Sequence, residues 1–133
     1  MRVLIVDDDE TFCRFLAEVL EDKGIQTVWT TDALAGYERS LYEPYDLFVL
    51  DERMPLVLGT ELVEDLKRDN PHAKIILISA FADETLQKRS QSLGVPLLSK
   101  PFATARLLDV VQRTLANSTP SDRHSNSHRY RYK

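Results

Sequence analysis

Three short stretches of unbroken hydrophobicity constrain this chain most: Val3-Leu4-Ile5-Val6, Leu47-Phe48-Val49-Leu50 and Ile75-Ile76-Leu77-Ile78. Each is strand-length and too short for a buried helix. A strand with one wet face alternates apolar and polar residues. An unbroken run means cover on both faces, as in a parallel sheet between layers of helices. Two weaker segments complete the set. Ile25 to Thr30 is more polar and reads as an outer strand, and Val95 to Ser99 is a short fifth candidate.

The segments between these runs carry helical signals. Phe12, Phe15, Leu16, Val19 and Leu20 recur at i, i+3, i+4 spacing, and Gly24 reads as the C′ residue of that helix. Thr31 or Asp32 can cap a second helix through Leu41. Thr60 to Arg68 carries Leu62, Val63 and Leu66; Asp83 to Leu93 precedes Gly94; Leu107, Leu108, Val111 and Leu115 form a last stripe. Strand–helix repeated five times predicts a doubly wound α/β fold, with right-handed crossovers placing helices on both faces. The Asp83–Leu93 helix has only Leu86 and Leu93 as large apolar residues, so it is expected to dock weakly, as a mobile, partner-bound or solvated element.

Size and composition narrow the class. A chain of 133 residues has room for one domain with its own core. One cysteine, Cys13, excludes an internal disulfide framework. No apolar run approaches a membrane span, and Arg2 and Asp7 interrupt any leader-like segment. These features predict a soluble protein of a reducing compartment, the cytoplasm. Residues 1–116 form the domain and 117–133 a disordered basic tail, which has no Leu, Ile, Val, Phe or Met. The formal charge of −4 divides into about −7 for the body and +3 for the tail. The Arg129-Tyr130-Arg131-Tyr132-Lys133 end has the composition of a stacking platform. A solvated tail is the simpler reading, and no nucleic-acid partner is expected.

Open parallel sheets bind ligands beyond the carboxyl ends of their strands. There the first run delivers Asp7-Asp8-Asp9-Glu10, the third Asp51, the fourth Ser79 and the fifth Lys100-Pro101. Gathered carboxylates repel, and a hard dication such as Mg²⁺ resolves the repulsion with oxygen ligands. A hydroxyl and an ammonium facing the same point suit phosphoryl oxygens. One carboxylate can then act as nucleophile and form an acyl phosphate. Asp9, Glu10 and Thr11 have a purely structural use as caps of the first helix; Asp51 has none.

These pieces resemble the receiver domain of two-component response regulators. Leu4-Ile5-Val6-Asp7-Asp8-Asp9, Leu50-Asp51-Glu52-Arg53-Met54-Pro55 with Gly59, Ile78-Ser79-Ala80 and Lys100-Pro101-Phe102 stand in the family's order over residues 1–116. The resemblance implies a flavodoxin-like, three-layer fold with a parallel sheet of order 2-1-3-4-5. It implies that Asp51 is the phosphoacceptor, that Asp8 binds Mg²⁺ directly and Asp7 mostly through water, and that Arg53 offers its backbone carbonyl to the metal. Ser79 and Lys100 would contact the phosphoryl group, with Ala80 leaving room for it and a cis bond before Pro101. It also implies a phosphohistidine donor on a histidine kinase or histidine phosphotransfer protein. A downstream protein would be met at the face of the fourth helix, fifth strand and fifth helix. Such a chain is a switch rather than an enzyme, with self-catalysed phosphoryl uptake and autodephosphorylation.

The sequence departs from the family pattern at three places. Leu97 stands where an aromatic usually swings inward on activation, Leu58 where an acid is frequent, and Ala103 where the last helix usually has a capping residue. Arg53 and Phe81 occupy positions that tune phosphate lifetime in the family; a bulky Phe81 would slow the attacking water. Two other functions fit parts of the chain. Asp7-Asp8-Asp9-Glu10-Thr11 satisfies the signature of a haloacid-dehalogenase-type phosphatase, with Asp7 as nucleophile and Asp9 as acid/base. That reading leaves Asp51 idle and lacks a late acidic pair. The other is a binding module that is never phosphorylated. Cys13 reads as a packed or half-exposed small residue, His72 as a loop residue, and Trp29 as cover for the sheet edge or packing under a helix.

Overall fold

The structure, a computed structural model, describes residues 1–117; the expected basic tail, apart from Asn117, lies outside the described residues. Strands and helices alternate: β1 (Arg2–Val6), α1 (Glu10–Glu21), β2 (Gln26–Thr30), α2 (Ala33–Tyr42), β3 (Leu47–Asp51), α3 (Gly59–Asp69), β4 (Ile75–Ser79), α4 (Glu84–Leu93), β5 (Leu97–Ser99) and α5 (Thr104–Ala116). The sheet is parallel throughout, in the order β2-β1-β3-β4-β5. β3 and β4 are buried along their whole length, whereas β2 is half-exposed at the edge. This is the doubly wound parallel sheet that the unbroken runs predict, in the flavodoxin-like order that the resemblance implies.

Alternation along the strands divides the core into two layers. Val3, Ile5, Val49, Ile76, Ile78 and Leu98 face α1 and α5; Leu4, Val6, Phe48, Leu50, Ile75 and Leu77 face the opposite side, against α3 and parts of α2 and α4. Fully buried Leu and Ile side chains contribute about 1.5–3 kcal/mol each. α2 rides close on β1: a Cβ on Gly36 would lie 2.7 Å from Val6 Cγ2.

Several helix details differ from the spacing argument. In α1 the buried residues are Cys13, Leu16, Ala17 and Leu20, while Phe15 is 40% exposed. The face that meets the sheet runs through positions 13, 16, 17 and 20, and position 15 falls at its solvent edge. Gly24 has φ of +78° but lies two residues past the Asp22 C-cap, one further than C′. In α5 Val110 joins Leu107 and Val111 in the core, and Leu108 and Leu115 are only partly buried. Thr104 is the first helical residue, so Ala103 is an N-cap with no side-chain acceptor. α4 buries only Leu86 and Ser90, as its thin stripe implies, and ends at Gly94 in the left-handed conformation.

Candidate functional site

Four strand ends build the site. Asp7 follows β1 directly and is buried, with Asp8 exposed beside it. Asp7 Oδ1 accepts the Asp9 backbone N–H at 2.9 Å, which closes the turn into α1. Asp9 accepts the Phe12 N–H and so caps α1, with Glu10 paired to Arg14 in the first turn. The acid that a phosphatase would need for proton transfer is therefore engaged at the helix end. Asp51 ends β3 and is buried. Ser79 ends β4; its Oγ accepts the Phe81 N–H at 3.0 Å.

Lys100 closes the site from β5. Its N–H donates to the Ser79 carbonyl at 2.8 Å, continuing the strand pairing, and its bond to Pro101 is cis. Its Nζ lies 2.9 Å from Asp7 Oδ2, 3.3 Å from Asp51 Oδ1 and 4.0 Å from the Phe12 ring centroid. Carboxylate oxygens of Asp7, Asp8 and Asp51 all lie within 4.8 Å of one another.

The electrostatics follow from this crowding. Burial, then the Asp7 charge, pushes the Asp51 carboxyl up to about 6, against the pull of Lys100. Asp7 is also raised, by burial, although the Asp9 amide and Lys100 draw it down. Burial works against the Lys100 charge, but Asp7 and Asp51 outweigh it and hold the ammonium above its ordinary value. Three carboxylates against one ammonium leave two negative charges, which an oxygen-seeking divalent cation matches. The donor set fits Mg²⁺.

The remaining expected residues sit around this centre. Ala80 and Phe81 are exposed beyond Ser79, and the Arg53 guanidinium stacks 4.8 Å from the Phe81 ring centroid. The pair stands at the mouth of a groove of about 430 Å³ between the β3–α3 loop and α4. Leu97 packs half-buried on the α3 side of the sheet. Leu56 is 97% exposed with φ of +72°, Leu58 is exposed, and Val57 packs inward. Cys13 is fully buried; its Sγ–H donates to the Asp7 carbonyl, and burial pushes the thiol up to about 12. Trp29 packs against the α1 layer with the Arg14 guanidinium over its ring. His72 lies in the loop between α3 and β4.

Two residues of the site escaped the sequence argument. Glu52 is buried and accepts the Thr60 N–H at 2.7 Å and the Thr60 hydroxyl at 3.2 Å. Thr60 lies in the first turn of α3, whose N-cap, Leu58, has no polar side chain. Glu52 thus supplies the cap from the loop, and Glu61 accepts the Leu58 N–H. The second is Phe12, read only as a core residue.

Comparison with known proteins agrees with this arrangement. A family model described as the response regulator receiver domain matches residues 3–112. Response regulator receiver protein CpdR of Brucella abortus is 32% identical over 115 residues, covering 86% of this chain and 96% of that protein. Response regulator receiver protein Anae109_2439 of Anaeromyxobacter is 36% identical over 110 residues, covering 82% of this chain but 46% of that protein. A CheY-like receiver domain protein from Methanospirillum hungatei superposes with a TM-score of 0.81 at 28% identity, over 86% of this chain and 92% of that one. Sequence, strand order and the acidic rim agree: the chain belongs to the response regulator receiver domain family.

Proposed function

We propose that this chain is a phosphorylation-controlled switch whose acceptor is Asp51. The observation that carries the reading is the convergence of Asp7, Asp8, Asp51 and Lys100 at one rim, with Lys100 Nζ bridging Asp7 and Asp51. Receiver domains are phosphorylated by histidine kinases, so the donor is a phosphohistidine on a kinase or phosphotransfer protein. An Asp51 carboxylate oxygen attacks phosphorus as the P–N bond breaks; the electron pair leaves on the imidazole nitrogen, which takes up a proton. Lys100 and the Ser79 hydroxyl face the phosphoryl oxygens and stabilise the charge that develops. For Ser79, this means turning its hydroxyl away from a local contact with the Phe81 amide.

Asp7, Asp8, Asp51 and the Arg53 backbone carbonyl would hold Mg²⁺. When bound, the ion supplies charge neutralisation at the acidic rim. Phe81, stacked with Arg53, screens the acyl phosphate from water and lengthens its life. Residues 1–116 form the switch, and its place is the cytoplasm, where the donors act. Its state is read by another protein at the face of α4, β5 and α5. Among the described residues no helix is long and apolar enough to cross a membrane.

The test is incubation with acetyl phosphate and Mg²⁺, followed by mapping of the phosphorylated residue by mass spectrometry after borohydride trapping. Label on Asp51, lost in Asp51→Asn, is expected. Label on Asp7 would instead support the phosphatase chemistry. No Mg²⁺-dependent label from acetyl phosphate or a phosphorylated kinase would leave a pure binding module.

A further inference from the structure

A lysine ammonium sits on a flexible four-carbon stem, and its usefulness depends on what holds it. Lys100 is held by Asp7, by Asp51 and by the face of Phe12. The first two are the carboxylates that metal binding and phosphoryl transfer would engage. As their charge is taken up, their pull on the ammonium falls. The Phe12 ring has no such competing use. Its π face attracts the cation yet accepts no strong hydrogen bond, so the three N–H donors stay available for oxygen ligands.

The ring is itself braced. Phe102 meets Phe12 edge-on, with centroids 5.8 Å apart and planes at 79°, and Phe15 lies 6.2 Å away. Phe102 stands two residues past Lys100, so the segment that carries the cation also carries the brace of its seat. Phe12 is in turn packed against the α1–α5 core layer.

We propose that Phe12 is a positioning residue for phosphoryl transfer, its ring seating the Lys100 ammonium beside Asp51. This rests on the reading of Asp51 as acceptor. A cation–π contact of this kind corresponds to roughly a 3- to 30-fold effect on rate.

The experiment uses the full chain with saturating Mg²⁺ and acetyl phosphate as donor, following phosphorylated protein by intact mass. Phe12→Leu should lower the maximal rate of uptake about 3- to 30-fold, with the half-saturating donor concentration less affected. Phe12→Tyr, which keeps the ring, should restore the rate to within about twofold. If the leucine variant fails to fold, Phe12→Met fills similar volume without an aromatic face and reads the same effect. A folded leucine or methionine variant with wild-type maximal rate overturns the proposal. So does a tyrosine variant as slow as the leucine one. Wild-type protein that takes no phosphate at Asp51 overturns the acceptor reading, and this inference with it. Normal uptake by wild type beside an unaffected ring-less variant overturns the inference alone.

Discussion

Replacing the acceptor by its neutral isostere should make the metal-free protein more stable. The Asp51 side chain is only 8% exposed, and burial beside Asp7 lifts its carboxyl from 3.8 to about 6. The folded state therefore holds a proton more tightly than the unfolded chain does. Below about pH 4 both states are protonated and the effect vanishes. Between about pH 4 and 6 the unfolded chain loses its proton first, so stability falls as pH rises; above about 6 the full penalty remains. A shift of this size corresponds to an upper bound of about 3 kcal/mol. The opposing pull of Lys100 is already contained in that shift, so the expected gain is about 2–3 kcal/mol. Urea unfolding of wild type and Asp51→Asn in EDTA at pH 7.5 should show a higher midpoint for the variant with unchanged slope. The gap should close as the pH is taken to 4. Saturating Mg²⁺ should narrow it from the other side, by stabilising wild type through mass action. A variant less stable than wild type at pH 7.5, or a gap independent of pH, would refute the electrostatic reasoning.

Other substitutions test how the loops are built. Glu52→Ala strips the Thr60 N–H and hydroxyl of their acceptor and should cost roughly 2–3 kcal/mol in urea unfolding. Gly59→Ala would drive a Cβ to 2.4 Å from the Asp51 carbonyl oxygen and 2.9 Å from Glu52 Cα. Since backbone must move, it should cost at least about 2 kcal/mol and slow phosphorylation in the same preparation. Leu56→Gly relieves a left-handed conformation in an exposed side chain and should raise stability by about 1 kcal/mol. Ala103→Ser supplies the missing acceptor at the start of α5 and should raise the melting temperature by several degrees, for about 1 kcal/mol.

The sheet was legible because burial on both faces confines polar residues to the ends of β1, β3 and β4, at Arg2, Asp51 and Ser79. The rim was legible because chemistry follows those strands at their carboxyl ends. Helix faces were less so. Apolar spacing put Phe15 on the buried stripe, whereas the face that meets the sheet runs through Cys13, Leu16, Ala17 and Leu20. Glu52 was invisible for a different reason. Its partner is eight residues away across a loop, and nothing in the local pattern distinguishes a buried capping carboxylate from a solvated one. Phe12 was seen as apolar, which is true. That its face would carry a cation depends on where the fifth strand brings Lys100, and only the fold supplies that.

The absence of an aromatic at position 97 leaves a question of how a change at Asp51 reaches the rest of the domain. Leu97 offers neither ring nor hydroxyl, and packs into the layer facing α3. The site, however, is tied together by backbone. Ser79 and Ser99 are paired in register, and the Lys100 N–H donates to the Ser79 carbonyl. The Ser79 Oγ is held by the amide of Phe81, whose ring in turn lies against Arg53. On the proposed reading, a phosphoryl group that drew the Ser79 Oγ toward it would leave the Phe81 amide without its acceptor and loosen the segment leading into α4. That helix buries only Leu86 and Ser90, so it has little packing to resist a shift. On that reading the energy to bias it would come from the rim itself, where ligand binding would relieve two uncompensated negative charges. With Asp51 as acceptor, this geometry predicts coupling through the β4–α4 segment rather than through a rotating ring, and phosphorylation should then raise amide exchange over residues 80–84 and in α4.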